Sequence, residues 1–124
     1  MSKRIMDVEE ANIKEKFAER YKSLLGKEYD TFIEYSLTFP RRSLRVNTIK
    51  ISISELKKRL EKRWELTQIP WCKEGFWIKH IKGERRDIGN LIEHQLGYFH
   101  VQESASMIPP LVLEPKPNEL ILDM

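Results

Sequence analysis

Residues 41–69 read RRSLRVNTIKISISELKKRLEKRWELTQI, and the rhythm of this stretch changes twice. Leu44, Val46 and Thr48 alternate with Arg45, Asn47 and Ile49, the period of two that turns one face of a strand toward a core. Ser52 with Glu55 three residues later is a capping box, and Ile53, Leu56 and Leu60 then fall on one side of a helix. Trp64 to Ile69 returns to strand composition, and Pro70, which has no N–H to donate to a ladder, ends it. Strand, helix and strand in one short span predict the first half of an α+β domain.

The second half repeats the pattern with shorter elements. Trp71 to Gly75 reads as a turn, Phe76 to Ile81 as a third strand closed by Lys82-Gly83. Asn90 is placed to cap a short helix through Leu96 that Gly97 stops, and Tyr98 to Gln102 reads as a fourth strand. The order β-α-β-β-α-β over residues 39–102 predicts a ferredoxin-like fold of the kind used by RNA-recognition motifs. Residues 1–38 predict a helical hairpin. Asp7 with Glu10 resembles a capping box, and Ile13, Phe17, Tyr21 and Leu24 recur at helical spacing up to Gly26. A second helix presents Tyr29, Phe32, Ile33 and Leu37, and Pro40 forbids its continuation. Residues 103–124 change character again. Glu103 to Leu113 predicts a largely helical stretch in which Pro109 and Pro110 are tolerated only in a first turn or at a kink, Glu114 to Asn118 a linker, and Leu120-Ile121-Leu122-Asp123 a buried strand of the parallel-sheet kind. Such a strand needs neighbours on both sides, so residues 103–124 read as the opening of a further, truncated domain.

Composition narrows the class of function. The chain has 124 residues, 40% hydrophobic and 33% charged, enough for one modest core under a charged surface. No apolar run reaches the ~20 residues of a membrane span, and no apolar stretch follows the basic N-terminus as a secretory signal requires. One cysteine makes no internal disulfide and no zinc site, which suits a reducing, cytoplasmic setting. Charge is unevenly distributed. Residues 1–38 are net −1, residues 39–86 are net +9 with 14 basic against 5 acidic side chains, and residues 87–124 are net −5. A basic middle between neutral and acidic flanks is the footprint of a polyanion-binding surface, RNA before anything else.

Catalytic constellations do not appear. Cys72, between Trp71 and Lys73, has no identifiable base beside it; His80, His94 and His100 are not spaced as metal ligands; no glycine-rich phosphate loop is present. The candidate RNA-binding residues are Arg41, Arg42, Arg45 and Asn47 around the first strand, Lys79 and His80 on the third, and Arg85 and Arg86 just beyond it, since guanidinium forks hold phosphates two oxygens at a time. Phe76, Trp77, Tyr98 and Phe99 interleave with them as possible stacking rings, Phe76 and Phe99 being better suited to the core. Neither ribonucleoprotein signature of an RNA-recognition motif is present, so contact is expected through shape and phosphate rather than base reading on the sheet. Lys57, Lys58, Arg59, Lys62 and Arg63 have the solvated face of a helix as an equal explanation.

Three strings carry a resemblance: RRSLRVNTIK at 41–50, GFWIK at 75–79 and GNLIEHQLGYFHVQESASMIPPLVLEPKPNELILDM at 89–124. They resemble the NOL1/NOP2/Sun family of RNA 5-methylcytosine methyltransferases. The resemblance is specific from Gln102 to Met107 and through the Pro-X-Pro linker to Leu-Asp-Met. It implies an N-terminal RNA-recognition-like domain followed by a Rossmann-like domain that binds S-adenosylmethionine, with Leu120 to Met124 as the first strand of that domain. It implies a thiolate that attacks cytosine C6 and a second cysteine that releases the adduct. Cys72 matches neither, so no catalytic, cofactor-binding or metal-binding residue carries over to this chain. Arg45 and Asn47 match the family's Arg-Val-Asn motif, and Asn118 stands where a glycine usually follows the second proline. The implied partners are tRNA or rRNA and the catalytic domain of the same protein. The rival expectation is a stand-alone RNA- or protein-interaction module without enzymatic activity.

Overall fold

The structure, a computed structural model, describes residues 5, 11–83 and 87–123. It divides into two compact units, Met1–Pro40 and Arg41–Met124. In the first, helix α1 spans Glu15–Leu25 and helix α2 Tyr29–Ser36. Gly26 takes a positive φ of 52° and starts a short 3-10 turn, Gly26–Glu28, between them, a conformation open to glycine at no steric cost. Tyr21 stacks on Phe32 with ring centroids 4.9 Å apart and touches Phe17 at 4.4 Å, while Tyr29 and Ile33 are buried. Both helices expected from the sequence are therefore present, α1 starting at Glu15 after Lys14; the Asp7–Glu10 pair lies outside the described residues.

The second unit is a four-stranded antiparallel sheet of β1 (Ser43–Val46), β2 (Trp64–Ile69), β3 (Cys72–His80) and β4 (Phe99–Val101), in the spatial order β2-β3-β1-β4. Helix α3, Ile53–Leu60, joins β1 to β2, and α4, Ile92–Gln95, precedes β4. The capping box at α3 is complete. Ser52 Oγ accepts from the Glu55 N–H, and the Glu55 carboxylate accepts from the Ser52 N–H and hydroxyl. Those hydrogen bonds from Ser52 hold the Glu55 carboxyl below its ordinary pKa.

Register fixes which side chains face which way, because paired residues share a face. Leu44 stands between Phe76 and Val101, Val46 opposite Phe99, and Leu66 opposite Ile78. This face carries the main core, in which Leu56 and Leu60 of α3 pack with Leu44, Val46, Trp64, Phe76, Ile78, Ile88 and Phe99. The other face carries Ser43 opposite Trp77, Arg45 opposite Gly75 and His100, and Lys79 opposite Glu65. One end of it is covered by a 3-10 turn, Ala105–Met107, running into helix α5, Ile108–Leu113; the helix expected from Glu103 thus starts only at Ile108, with Pro109 and Pro110 in its first turn rather than at a kink. Met107 is fully buried there against Ile69 and Cys72. A side chain at position 75 would put its Cβ 2.7 Å from the Met107 sulfur, so glycine on β3 is what admits it.

Three sequence expectations are corrected. β3 begins at Cys72 rather than Phe76, because β2 and β3 form a tight hairpin around Pro70-Trp71 with a register shift at Gln68/Ile69. Gln68 makes that shift possible: its Nε2 donates to the carbonyls of Cys72 and Gly75, at 2.7 and 2.9 Å. Asn90 does not cap α4 but closes a 3-10 turn, Ile88–Asn90, and α4 starts two residues later. Residues 120–123 form no strand; Leu120 and Leu122 are solvent-exposed, and no strand lies beside them among the described residues.

Two stability outcomes follow. Gly75→Ala forces Met107 out of its notch and is expected to lower stability by about 1–3 kcal/mol, read as a reduced urea midpoint. Leu56→Ala, which empties a fully buried site, is expected to cost about 2–5 kcal/mol in the same measurement.

Candidate nucleic-acid interface

The basic residues singled out in the sequence separate into three environments. Arg41 is exposed and its guanidinium carbon lies over the Trp77 ring, 3.9 Å from the centroid. Arg42 is also exposed, and its carbonyl accepts from the Ile78 N–H at 2.9 Å, which extends the β1–β3 ladder by one bond. Lys79 is exposed on the same face as Trp77, two residues further along β3. These three gather along the β1–β3 seam. Arg85 and Arg86 lie outside the described residues.

Arg45 belongs to a different place. It faces a groove of about 580 Å3 at the β1–β4 side of the sheet, lined with Asn47, Glu74, His94, His100 and Gln102. Asn47 marks the rim and is occupied structurally. Its Nδ2 donates to the Gly97 carbonyl at 3.0 Å, and its Oδ1 accepts from the Ile49 N–H at 3.3 Å. Lys50 supports the same turn, its Nζ donating to the Leu96 carbonyl at 3.1 Å. Gly97 needs its positive φ of 71° to present that carbonyl.

His80 is a correction. Its ring is buried, edge-on to Trp64 with centroids 4.9 Å apart, and its Nδ1 accepts from the Lys82 N–H at 3.1 Å. The even-numbered register of β3 puts it on the core face, away from Lys79. Of the four aromatic candidates, Phe76 and Phe99 are core residues, while Tyr98 and Trp77 are partly buried. Arg59 lies over the Tyr98 ring at 5.5 Å, which ties one of the α3 cations to the protein's own surface.

Trp71 was not among the candidates. Placed in a turn by Pro70, it sits edge-on to Trp77 at 5.7 Å and 84°, and its Nε1–H donates to the Ser104 carbonyl at 3.0 Å. Only the tight β2–β3 hairpin brings it there, and the sequence carries no local sign of that hairpin's length.

Burial pushes the Cys72 thiol up in pKa and the Glu74 carboxylate adds to this, its Oε2 standing 3.7 Å from the sulfur; Arg45 opposes them. Among the described residues no group of three histidine, cysteine or acidic side chains is placed to hold a metal, and no helix is long and apolar enough to cross a membrane. The groove does not suit S-adenosylmethionine: Arg45 would meet the cationic sulfonium with like charge, and no glycine-rich loop follows a strand.

A family model for the N-terminal domain of 16S rRNA methyltransferase RsmF matches residues 13–104. The chain belongs to the NOL1/NOP2/Sun family. Among curated members of that family, it is 47% identical over 113 residues to a tRNA (cytosine(49)-C(5))-methyltransferase of Pyrococcus abyssi, covering 90% of this chain and 35% of the relative. It is 44% identical over 96 residues to ribosomal RNA small subunit methyltransferase F of Erwinia tasmaniensis, covering 75% of this chain and 20% of the relative. A crystal structure of a methyltransferase homolog protein from Pyrococcus horikoshii superposes with a TM-score of 0.76 at 37% identity, over 88% of this chain and 35% of that one. The chain thus spans about a third or less of the length of these family members. The family's mixed architecture of helices with an antiparallel four-stranded sheet is the one described above.

The Cys72 environment gives a direct outcome. At pH 8 a chromogenic disulfide reagent is expected to modify the folded chain at least about tenfold more slowly than the urea-unfolded chain. Because the folded thiol is shifted upward, the folded rate climbs at a higher pH than the unfolded rate does. Equal rates would contradict the burial.

Proposed function

We propose that this chain is the N-terminal RNA-binding portion of an S-adenosylmethionine-dependent RNA (cytosine-5) methyltransferase that acts on tRNA or rRNA in the cytoplasm, and that it transfers no methyl group alone. What carries the reading is the match over 90% of the chain to a tRNA (cytosine(49)-C(5))-methyltransferase of which it covers 35%, joined to an exposed basic seam. The methyltransferase names belong to those relatives; the charge and the exposed guanidinium groups are this chain's own.

In this proposal residues 39–102 are a ferredoxin-like, RNA-recognition-like domain, a reading supported by the β2-β3-β1-β4 order with every neighbour antiparallel. Residues 1–38 are a helical hairpin, and residues 103–124 lead into a Rossmann-like domain in which 120–123 would be sheet. The exposure of Leu120 and Leu122 supports that part, since an apolar run gains little from water and much from a neighbouring strand. Arg41, Arg42, Arg45 and Lys79 are the proposed phosphate contacts, with Arg85 and Arg86 added from sequence. His80 is left out because it is buried, and Asn47 acts through the turn it holds.

Cytosine chemistry of this kind requires an unpaired or flipped base, since C5 and C6 must be reached from outside the helix stack. The role proposed for this chain is to dock the RNA backbone so that a catalytic domain meets one exposed base. Two measurements check it. Binding of tRNA is expected to weaken with salt, and replacing Arg42, Arg45 and Lys79 together by alanine should reduce the log–log salt slope by roughly 3. Labelled S-adenosylmethionine incubated with tRNA and the chain alone should leave no label in the RNA; incorporation would overturn the assignment of catalysis to another segment.

A further inference from the structure

We propose that Arg41, Trp77 and Trp71 form a stacking site for one unpaired nucleobase, with the Arg41 guanidinium as the plane that receives it. The inference rests on the RNA reading above and goes beyond it, because phosphate contact alone needs no aromatic ring. Of its residues, the sequence offers Trp77 as a stacking ring and Arg41 as a phosphate contact, but not Trp71, and it predicts contact through shape and phosphate rather than base reading on the sheet.

Trp71 and Trp77 come from the turn and strand of one hairpin, and Arg41 reaches them from the residues just before β1. Trp77 occupies the sheet face opposite the main core, partly buried against the cluster of Ile69, Cys72 and Met107. Trp71 meets it edge-on, and its Nε1–H bond to the Ser104 carbonyl fixes the indole while leaving 44% of the residue exposed. Arg41 lies over Trp77 at 3.9 Å, a stacking separation, and is itself exposed. Among the described residues no carboxylate pairs with Arg41, so the in-plane N–H groups of its fork stay open to phosphate while the ring beneath orders the plane.

The surroundings suit a nucleotide. Lys79 lies further along β3 on the same face, and Thr67, the register partner of Trp77, adds an exposed hydroxyl. Glu65, opposite Lys79, is the acid on that side and would oppose a phosphate beyond Lys79. That confines the favourable potential to the Arg41 end. A base stacked on a guanidinium, with its own phosphate bound at the edge of the same group, uses both the charge and the flatness of arginine. Lysine offers only the charge.

The test separates these two properties. Arg41→Lys is titrated with a single-stranded RNA decamer and, in parallel, with inorganic polyphosphate of comparable charge, and tryptophan emission is followed in the unaltered chain. The expected result is that Arg41→Lys binds the RNA about tenfold more weakly yet binds polyphosphate within about twofold of the original, because a stacked base is lost and a charge is kept. RNA, and not polyphosphate, should quench tryptophan emission, and Trp71→Phe should reduce that quenching. The stacking site is overturned if Arg41→Lys binds RNA as well as the original chain, if it loses RNA and polyphosphate equally, or if RNA leaves the emission unchanged. Binding of neither polyanion by the original chain would bring down the RNA reading together with the site. RNA binding that is indifferent to Arg41→Lys would bring down the site alone.

Discussion

β1 is hydrogen-bonded along both edges, to β3 through Leu44 and Phe76 and to β4 through Leu44 and Val101, and the rest of the second unit is arranged about it. A central strand has no free edge, so its two faces are what it offers the helices and turns of that unit. Leu44 and Val46 commit one face to the helices, where α3 and the segment before β4 close a core. Ser43 and Arg45 commit the other to polar and cationic neighbours. A slip of one residue would put the arginine in the core and the leucine in water, a change of several kcal/mol for the charge alone. The same alternation therefore stabilises the fold and sets out the basic surface.

That second face is not uniformly open. Gly75 leaves a notch on β3 into which the Met107 side chain fits, and α5 follows it over the sheet. Covering this end leaves the Arg41–Trp77 end as the accessible part, and it places the Arg45 groove at the boundary between the covered and open regions. Two basic environments thus arise from one strand: a guanidinium laid on an indole, and a guanidinium in a groove beside His94 and His100. Their different surroundings give them different uses. Only the first pairs a cation with an exposed aromatic surface.

Much of the sheet was legible because its determinants are local. The capping box at Ser52 and Glu55, the β2 bounds at Trp64 and Ile69, and the proline start of α5 each follow from residues within a few positions of one another. What escaped depends on contacts between distant positions. The early start of β3 rests on Gln68 reaching across the hairpin to Cys72 and Gly75, and the burial of His80 on Trp64 across the strand pair. Trp71 became part of the site only through a hairpin tighter than its proline and glycine suggested. The run 120–123 reads as sheet by composition, yet pairing is a property of two strands, and one alone stays irregular. The basic seam was visible as charge; its division into a stacked arginine, a groove arginine and a buried histidine was not.

The ties between β1 and β4 have a kinetic side. The Asn47 side chain bonds to the Gly97 carbonyl fifty residues away, and the Ser43 hydroxyl to the Gln102 carbonyl fifty-nine residues away at 2.6 Å. Neither link forms while the intervening chain is a loose loop, because the entropy of closing it precedes any reward. The β2–β3 hairpin and α3 are short-range and can assemble first. The β1–β4 seam closes the longest loops of the unit, so its pairing bears more of the loop-closure entropy than the β2–β3 hairpin does.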